Sequence, residues 1–364
     1  MELMKVMVVV GTRPEIIKMC PVIKALARES IPFIFVHSGQ HYSKGLDGIF
    51  FQQFNLPEPH YRLNVGSGSH AEQTSRILLG MERVLSRESC DIVLVQGDTN
   101  TVLGASLAAS KLNIPIGHVE AGLRSGDMTM PEEQNRKVAD CLSTLLFAPT
   151  PRSVRILTNE GADPKKVFLT GNTIVDALLH CDAKISPRRE FLKSTIGTDE
   201  PYLLLTLHRP TNVDDRDRLQ SILEGMRRIK KQLDMPILWP IHPRSLKNFE
   251  RFGLNNNVVR LIEPIGYLEF IGLLKYSELV LTDSGGVQEE ACVLKVPCVT
   301  LRENTERPET LEVGSNMLAG TEPDRISNAV MTMINRPRNW TNPFGDGNAG
   351  RRIVDILLNW NGGD

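Results

Sequence analysis

The sequence is poor in aromatic residues and in long apolar runs. Phe, Trp and Tyr make up only 5% of its 364 residues, and 42 Lys and Arg against 43 Asp and Glu leave a formal net charge of -1. A balanced charge with few aromatic residues argues against a nucleic-acid-binding surface. No apolar run approaches the roughly 20 residues that a membrane-spanning helix needs. We therefore predict a protein of two domains that binds neither nucleic acid nor membrane.

Cysteine is sparse and scattered. The six cysteines form no C-x-x-C pair, which argues against a disulfide framework, a metal site or a redox motif. We predict that they are reduced and buried, and that the protein holds no metal. Residues 1–5 lead directly into a strand without the apolar region or the cleavage site of a secretory signal, so a cytoplasmic location is expected.

Short β-branched runs alternate with longer amphipathic stretches along the whole chain. This pattern is typical of parallel sheets covered by helices on both faces. The predicted strands are Val6–Val10, Phe33–His37, Ile92–Gln96, Ile116–Val119, Leu146–Ala148, Val167–Thr170, Tyr202–Leu207, Ile237–Ile241, Val258–Ile262, Leu279–Thr282 and Cys298–Leu301.

The two halves of the chain repeat one local scheme. In each, a strand ends in Asp, a helix of small residues follows, and an apolar-Pro-apolar stretch comes next. We predict an α/β fold of two doubly wound Rossmann-like domains facing a central cleft, residues 1–171 and 172–349. A closing helix within residues 350–364 carries an apolar stripe and is expected to complete the first domain. Ligands of such sheets bind beyond the carboxyl ends of the strands.

The segment after the first strand is a candidate anion site. Gly11 permits a tight turn, Pro14 suits the first helical position, and Arg13 and Lys18 place two cations near the helix start. The alternative is a solvated basic pair.

A second candidate anion site follows the strand Leu279–Thr282. Ser284, Gly285 and Gly286 open a helix, so unpaired backbone N–H groups and a hydroxyl suit a diphosphate. Glu290 could then accept hydrogen bonds from ribose hydroxyls. An ordinary helix cap at Asp283 or Ser284 would leave the same pattern.

Three carboxylates follow strand ends or helix starts, and together they suggest acid–base chemistry. They are Asp98, Glu120 and Glu132. Like charges at close range separate carboxyl pKa values and so create an acid and a base. Alternatively, Asp98 caps the helix that begins near Thr99, and Glu132 serves only the helix dipole and an i, i+4 ladder with Arg136 and Asp140.

Three basic side chains also follow strand ends in the second half. His208 and His242 could neutralise a phosphate or move a proton, or could be structural. Arg307 could reach a phosphate or a sugar hydroxyl, although a surface charge run is the usual explanation of such a segment.

These motifs together resemble the UDP-N-acetylglucosamine 2-epimerase family over nearly the whole chain. The matching segments are Gly11-Thr-Arg-Pro-Glu-Ile-Ile-Lys18, Gly39-Gln-His41, Gln96-Gly-Asp-Thr99, His118-Val-Glu-Ala-Gly-Leu-Arg124, Pro131-Glu-Glu, Asn135-Arg136, Thr206-Leu-His-Arg209, Asp283-Ser-Gly-Gly-Val-Gln-Glu-Glu290, Thr305-Glu-Arg-Pro308 and Asn342-Pro-Phe-Gly-Asp-Gly347. The resemblance implies a glycosyltransferase-B type fold, a homodimer, and inversion at C2 of UDP-GlcNAc without an added cofactor.

The resemblance also implies roles for single residues. Asp98, Glu120, Glu132 and His208 match catalytic residues of the family. The positions that match its UDP contacts are Arg13, Lys18, Phe270, Ser284, Gly285, Gly286, Glu290 and Arg307. Gln40 and His41 match part of a regulatory UDP-GlcNAc site of bacterial members, but Ser43 and residues 66–70 do not resemble the rest of it. A hydrolysing epimerase that releases ManNAc, or a UDP-sugar transferase of the same fold, is the alternative function.

Overall fold

The computed structural model describes residues 4–40, 51–241, 243–254 and 257–360. The chain forms two compact units, Met1–Leu179 with Phe344–Asp364, and His180–Pro343. The predicted domain boundaries follow residues 171 and 349, whereas these units divide after residues 179 and 343. The first observed division falls inside a helix, whereas the prediction placed it just before that helix.

The first unit is built on a parallel sheet, which in the described residues has seven strands in the order β3-β2-β1-β4-β5-β6-β7. Its strands are β1 Val6–Val10, β2 Phe33–His37, β3 Tyr61–Arg62, β4 Ile92–Gln96, β5 Ile116–Val119, β6 Leu145–Ala148 and β7 Val167–Leu169. Both β1 and β4 are buried along their full length. Their continuous apolar runs are what a sheet covered on both faces requires.

Helices of the first unit follow the strands in alternation. They are α1 Arg13–Arg28, α2 His70–Leu85, α3 Asn100–Lys111, α4 Pro131–Leu142, α5 Pro151–Asn159 and α6 Thr173–Asp182. Local sequence sets their starts: Ser69 and Thr99 cap α2 and α3 through their hydroxyls, and Pro131 occupies the first position of α4.

The second unit repeats the plan with six parallel strands among its described residues, in the order β10-β9-β8-β11-β12-β13. These strands are β8 Leu203–Thr206, β9 Ile237–Pro240, β10 Arg260–Ile262, β11 Leu279–Thr282, β12 Cys298–Thr300 and β13 Asn316–Leu318. The helices are α7 Arg188–Ile196, α8 Pro210–Val213, α9 Arg216–Leu233, α10 Pro243–Arg251, α11 Tyr267–Tyr276, α12 Gly285–Val293, α13 Pro308–Glu312 and α14 Pro323–Ile334. The predicted α/β class with two doubly wound Rossmann-like domains is therefore confirmed.

Strand order reverses once in each sheet, and this reversal positions the candidate residues. In the first sheet β1 lies between β2 and β4, and in the second β8 lies between β9 and β11. The loops after β1 and β4, and those after β8 and β11, therefore leave their sheets at a topological switch point, where ligands of doubly wound sheets bind.

The last helix of the chain, α15 Ala349–Asn359, packs on α1 of the first unit. Its buried stripe contains Ile353, Val354 and Leu357. The backbone N–H groups of Ala349 and Gly350 donate to the carboxylate of Asp176 at 3.2 and 2.9 Å. This anion at the helix N-terminus satisfies two N–H groups that have no partner within the helix.

The cysteine prediction is partly wrong. All six cysteines are free, but Cys141 is exposed and Cys90 is only partly buried, whereas the other four are buried. Cys141 lies near the end of an amphipathic helix, α4, whose outer face reaches solvent. No helix among the described residues is both long enough and apolar enough to span a membrane.

Candidate functional site

The loop after β1 is held by a buried carboxylate, Glu15. One of its oxygens accepts from the N–H groups of Gly11 and Thr12 at 2.8 and 2.6 Å, and the other accepts from the Thr99 hydroxyl at 2.7 Å. Burial raises the pKa of Glu15 to about 7, although these hydrogen bonds act in the opposite direction. Glu15 thus ties the start of α1 to the loop after β4. Beside it, Arg13 is partly exposed.

Lys18 and Glu120 form a buried ion pair at the carboxyl end of β5. The Lys18 ammonium lies 2.8 and 2.7 Å from the two Glu120 oxygens, and only 8% and 3% of the two side chains is exposed. The Gln96 amide also donates to Glu120. Glu120 has a φ of +71°, a left-handed conformation that is strained for a residue other than Gly. The sequence predicted Lys18 as a UDP contact, and in this structure its ammonium contacts Glu120.

Asp98 stands at the carboxyl end of β4 and is held by α4. Its carboxylate accepts from Arg136 Nε and Nη2 at 3.0 and 2.8 Å, and its carbonyl accepts from the Asn135 amide at 2.9 Å. The helix cap of α3 is Thr99, so Asp98 does not serve as that cap. Because Gln96 of β4 pairs with Val119 of β5, the loops that carry Asp98 and Glu120 leave the sheet side by side.

The predicted ladder of Glu132, Arg136 and Asp140 does not form. Arg136 pairs instead with Asp98 and with Glu133, at 2.5 Å from Glu133 Oε2. Glu133 is buried and accepts from the N–H groups of Ser125 and Gly126, so it orders the loop before α4. Glu132, at the start of α4, is exposed. This leaves Glu132 able to act on a ligand.

In the second unit, Ser284 caps α12, and its hydroxyl accepts from the Val287 N–H at 3.5 Å. Asp283, the alternative cap, points instead to the loop after β8. It accepts from the N–H groups of His208 and Arg209 at 3.1 Å each and from the Asn212 amide at 3.1 Å. Ser284 is therefore the helix cap, and Asp283 holds the loop after β8.

His208 projects outward from that anchored loop. Its side chain is 58% exposed, and its Nδ1 lies 2.9 Å from Asp283 Oδ1. Burial raises the pKa of Asp283, but the hydrogen bond and the charge of His208, together with the Arg209 and Asn212 donors, outweigh burial and lower it. Asp283 therefore stays ionised and orients the His208 ring, whose other nitrogen is available for a ligand.

Helix α12 carries further carboxylates on its buried side. Glu290 accepts from the Tyr267 hydroxyl at 2.8 Å, and Glu289 lies 2.5 Å from Arg307 Nε. Arg307 is itself buried. The predicted UDP contact Arg307 thus also has a structural partner, and the predicted ribose acceptor Glu290 is oriented by Tyr267.

The remaining predicted residues are placed as follows. Phe270 lies on α11 and is partly buried. Gln40 is buried, and its side-chain oxygen accepts from the backbone and the hydroxyl of Thr101 at 3.0 and 2.8 Å. His41 and His242 lie outside the described residues. Among the residues that the structure describes, no cluster of His, Cys, Asp and Glu could hold a metal ion.

Sequence reasoning missed the residues that hold the predicted acids. Gln96 donates to Glu120, and Arg136 donates to Asp98. Glu133 pairs with Arg136 and so supports Asp98 indirectly. All three lie in segments that resemble the family, and Arg136 stands three residues after Glu133 on the same helix face, but neither signal indicates that they hold the acids. The longer-range partner of Arg136, Asp98, comes from another element, so spacing alone could not reveal it.

Residues 24–358 match the family model described as UDP-N-acetylglucosamine 2-epimerase. The chain is 52% identical over 362 residues to the UDP-N-acetylglucosamine 2-epimerase of Methanocaldococcus jannaschii, covering 97% of this chain and 99% of that protein. It is 41% identical over 359 residues to the UDP-2,3-diacetamido-2,3-dideoxy-D-glucuronate 2-epimerase of Pseudomonas aeruginosa, covering 97% and 99%.

A solved structure shows the same likeness in three dimensions. The crystal structure of the M. jannaschii UDP-GlcNAc 2-epimerase in complex with UDP-GlcNAc and UDP superposes with a TM-score of 0.92 at 52% identity. The match covers 98% of this chain and 100% of that one.

Proposed function

The chain belongs to the UDP-N-acetylglucosamine 2-epimerase family, and on that premise we propose that it interconverts UDP-GlcNAc and UDP-ManNAc without hydrolysis, the activity EC 5.1.3.14. The reaction inverts C2 of the sugar. A proton leaves C2 while UDP leaves C1, which gives a bound 2-acetamidoglucal. UDP then adds back to C1, and C2 is reprotonated on the other face. The proposal includes no added cofactor.

The proposed acid–base groups belong to the first unit. The C2 proton is not acidic, so its removal needs a carboxylate held at a fixed position and its return needs a proton donor on the opposite face. Asp98, Glu120 and Glu132 are the proposed groups. The observation that carries this proposal is that Arg136 and Lys18 hold Asp98 and Glu120 on loops that leave adjacent strands side by side.

The proposed UDP groups belong mainly to the second unit. When UDP departs, negative charge develops on its diphosphate. The N–H groups at the start of α12 and the ring of His208 can stabilise that charge. Glu290, oriented by Tyr267, is the proposed acceptor for the ribose hydroxyls. Further proposed UDP contacts are Arg13, Lys18, His242, Phe270, Ser284, Gly285, Gly286 and Arg307.

Turnover of UDP-GlcNAc in deuterated water tests the reaction. We expect UDP-ManNAc that carries deuterium at C2, detected by NMR and mass spectrometry. Release of free ManNAc and UDP would support the hydrolysing alternative. A parallel assay with a UDP-2,3-diacetamido sugar tests the substrate of the P. aeruginosa relative. Exclusive turnover of that sugar would contradict the proposal.

Three charge-neutral variants test the acids. We predict that Asp98→Asn, Glu120→Gln and Glu132→Gln each lower kcat by at least about 100-fold, since general acid–base groups contribute roughly 10²–10⁴ in rate. Far-ultraviolet circular dichroism checks that each variant is folded. Asp355→Asn, an exposed change on α15, is the matched control and should leave kcat unchanged. Full activity in any acid variant removes that residue from the assignment.

Other expectations from the resemblance stay proposals. We propose a homodimer in the cytoplasm, to be tested by light scattering on the purified protein and by cell fractionation. The regulatory role of Gln40 and His41 is tested by varying the UDP-GlcNAc concentration: a sigmoidal rate curve that becomes hyperbolic in Gln40→Ala would support it. A hyperbolic curve in the unsubstituted protein would argue against it.

A further inference from the structure

His118 is a fully buried histidine of β5 whose two ring nitrogens both have partners. Its Nδ1 lies 2.6 Å from Asp140 Oδ1, and its Nε2 lies 2.8 Å from the carbonyl oxygen of Gly97. Both distances are those of strong hydrogen bonds. The position of every hydrogen in this pair of bonds follows from the chemistry of the two partners.

Both partners are acceptors. A backbone carbonyl never donates, so Nε2 must carry a proton. The second Asp140 oxygen accepts from the Gly122 N–H at 3.2 Å and lies 2.7 Å from Arg124 Nη2, which identifies Asp140 as an ionised carboxylate. Nδ1 must then carry a proton as well. A neutral imidazole has only one N–H, so the ring of His118 is an imidazolium.

The charges around the ring agree with this protonation state. The groups that face His118 or its partner are Asp140 from α4, Glu120 from the end of β5, Arg124 from the following loop and Glu160 from the end of α5. Burial lowers the pKa of His118, but the charge and hydrogen bond of Asp140, the Gly97 carbonyl and the charge of Glu120 together raise it. Lys18 pairs with Glu120, so three carboxylates face two cations, Arg124 and Lys18, and the surroundings of the ring keep a net negative charge.

The backbone groups that His118 and Asp140 bind, the Gly97 carbonyl and the Gly122 N–H, lie beside the proposed acids. Gly97 directly precedes Asp98, and Gly122 is the second residue after Glu120. Three residues in these loops have left-handed φ values: +82° at Gly97, +71° at Glu120 and +81° at Gly122. Glycine adopts these φ values readily, but Glu120 is strained there, and its loop keeps this conformation only when surrounding contacts hold it. The His118 ring holds the first loop through the Gly97 carbonyl, and its partner Asp140 holds the second through the Gly122 N–H.

We propose that His118 is a positioning residue for the epimerase reaction: its imidazolium, bound to Asp140, fixes the loops of Asp98 and Glu120 and so the places of their carboxylates. This inference rests on the proposed function of those two acids. His118 itself is not proposed to touch the substrate. The His118–Asp140 pair instead keeps the Asp98 and Glu120 carboxylates, which follow different strands, in fixed positions.

Nitrogen NMR of the unsubstituted protein, labelled with ¹⁵N-histidine, tests the protonation state. At pH 7.5 we expect the His118 ring to show two nitrogens that each carry a proton, assigned by their absence from His118→Gln. A ring with one protonated and one bare nitrogen would overturn the proposal. This measurement needs no substrate and no surviving activity in a variant.

Kinetics of Asp140→Asn test the positioning role. Without the carboxylate charge, the buried ring should lose its second proton near neutral pH or below. We therefore expect a kcat that falls as pH rises through neutrality in this variant, and a lower kcat at pH 7.5 by about 100-fold, the scale expected for a small misplacement of reacting groups. The KM for UDP-GlcNAc and the Kd for UDP should change by less than about threefold, since UDP is assigned mainly to the second unit.

His118→Phe removes both donors and keeps a ring of similar size. We expect the same loss of kcat with little change in KM, and a kcat that does not vary with pH through neutrality beyond the unsubstituted profile. His60→Phe makes the same change at an exposed histidine beside β2, whose Nδ1 accepts from the Phe35 N–H, and as the control it should keep the full kcat. An unchanged kcat in folded His118→Phe or Asp140→Asn would overturn the positioning role.

The two proposals fail in different ways. If the unsubstituted protein turns over UDP-GlcNAc but the His118 ring is neutral, only the positioning role fails. If the protein does not turn over UDP-GlcNAc at all, the proposed function fails and takes the positioning role with it, even where NMR finds the imidazolium.

Discussion

A carboxylate buried in a protein stays ionised only where cations and hydrogen-bond donors replace the water it has lost. Glu120 has such partners in the Lys18 ammonium and the Gln96 amide. The same side chain has to act on a substrate in the proposed reaction. Its stability and its function therefore depend on one set of contacts, and substitutions of Lys18 should affect both.

We predict that Lys18→Met lowers the free energy of unfolding by about 3–5 kcal/mol, because it leaves the Glu120 charge buried without its cation. The matched control is Lys5→Met. Lys5 pairs with Glu88 at 3.0 Å, but the two side chains are 36% and 28% exposed, and a pair that solvent reaches contributes about 0–1 kcal/mol. Urea denaturation followed by circular dichroism measures both. Equal losses in the two variants would contradict the prediction.

The helix-capping carboxylates Glu15 and Glu72 provide a pH test with opposite signs. Burial raises the pKa of Glu15 to about 7, whereas the Ser69 backbone N–H lowers the pKa of the exposed Glu72. A raised folded-state pKa means that folding favours the protonated form, so the stabilising contribution of Glu15 is lost as pH rises from about 4.5 to about 7. The contribution of Glu72 is lost as pH falls below about 4.5.

We therefore predict that Glu15→Gln removes part of any decline in stability between about pH 4.5 and 7. Glu72→Gln should instead remove part of the decline in stability that occurs as pH falls below about 4.5. The measurement is the free energy of unfolding of each variant relative to the unsubstituted protein across this pH range. Differences that run in the same direction for both variants would show that burial does not dominate at Glu15.

At the scale of single elements, the start of α12 is tightly packed at one glycine and open at the next. A Cβ on Gly285 would stand 2.5 Å from Glu306 Oε1, whereas on Gly286 its nearest neighbour, Ser284 Oγ, is 3.9 Å away. Glu306 is buried and pairs with Arg209 and Arg302. It has little freedom to move, so the two glycines should respond differently to substitution.

We predict that Gly285→Ala lowers the free energy of unfolding by about 1–3 kcal/mol, as overpacking does. Gly286→Ala should keep or slightly raise stability, since alanine favours a helix. It should nevertheless weaken UDP binding by at least about tenfold, because the methyl group would face the proposed diphosphate. Thermal unfolding and calorimetric titration with UDP measure the two effects. UDP affinity unchanged in Gly286→Ala would remove Gly286 from the proposed site.

The strands that sequence predicted and the strands that it missed differ in length and composition. β1, β2, β4, β5 and β11 were predicted with their observed bounds, because each is a run of four or five residues that are nearly all buried. β3 and β13 have only two and three residues, and they begin or end with polar side chains. Such a segment becomes a strand only because a neighbouring strand supplies its hydrogen bonds. Its own sequence does not show that this neighbour is present.

At the scale of the whole molecule, the end of the chain helps to build the unit that its start begins. α15 packs on α1 across more than three hundred intervening residues, and Gly350 lies close enough to Pro21 that a Cβ would meet its backbone carbon at 2.7 Å. Glycine is thus required for the close approach of the two helices. Stability of the first unit should depend on the buried face of this last helix.

Leu357 and Leu358 are adjacent on α15 but have different surroundings. Leu357 is fully buried, and Leu358 is 49% exposed. We predict that Leu357→Ala lowers the free energy of unfolding by about 2–5 kcal/mol and that Leu358→Ala changes it by less than about 0.5 kcal/mol. Chemical denaturation of both variants measures this. Similar losses would mean that α15 does not contribute its buried face to the core.

Local sequence patterns were enough to predict the α/β class, most strand positions and the residues at strand ends, because buried parallel strands and helix starts have strong local signatures. The partners of these residues could be identified only from the folded chain: Arg136 for Asp98, Lys18 for Glu120, Tyr267 for Glu290, and His118 with Asp140 between two loops. Such contacts join distant parts of the chain, and the packing of the sheets brings them within hydrogen-bonding distance. The ionisation of a buried group depends on those neighbours, so it belongs to the fold and not to the residue.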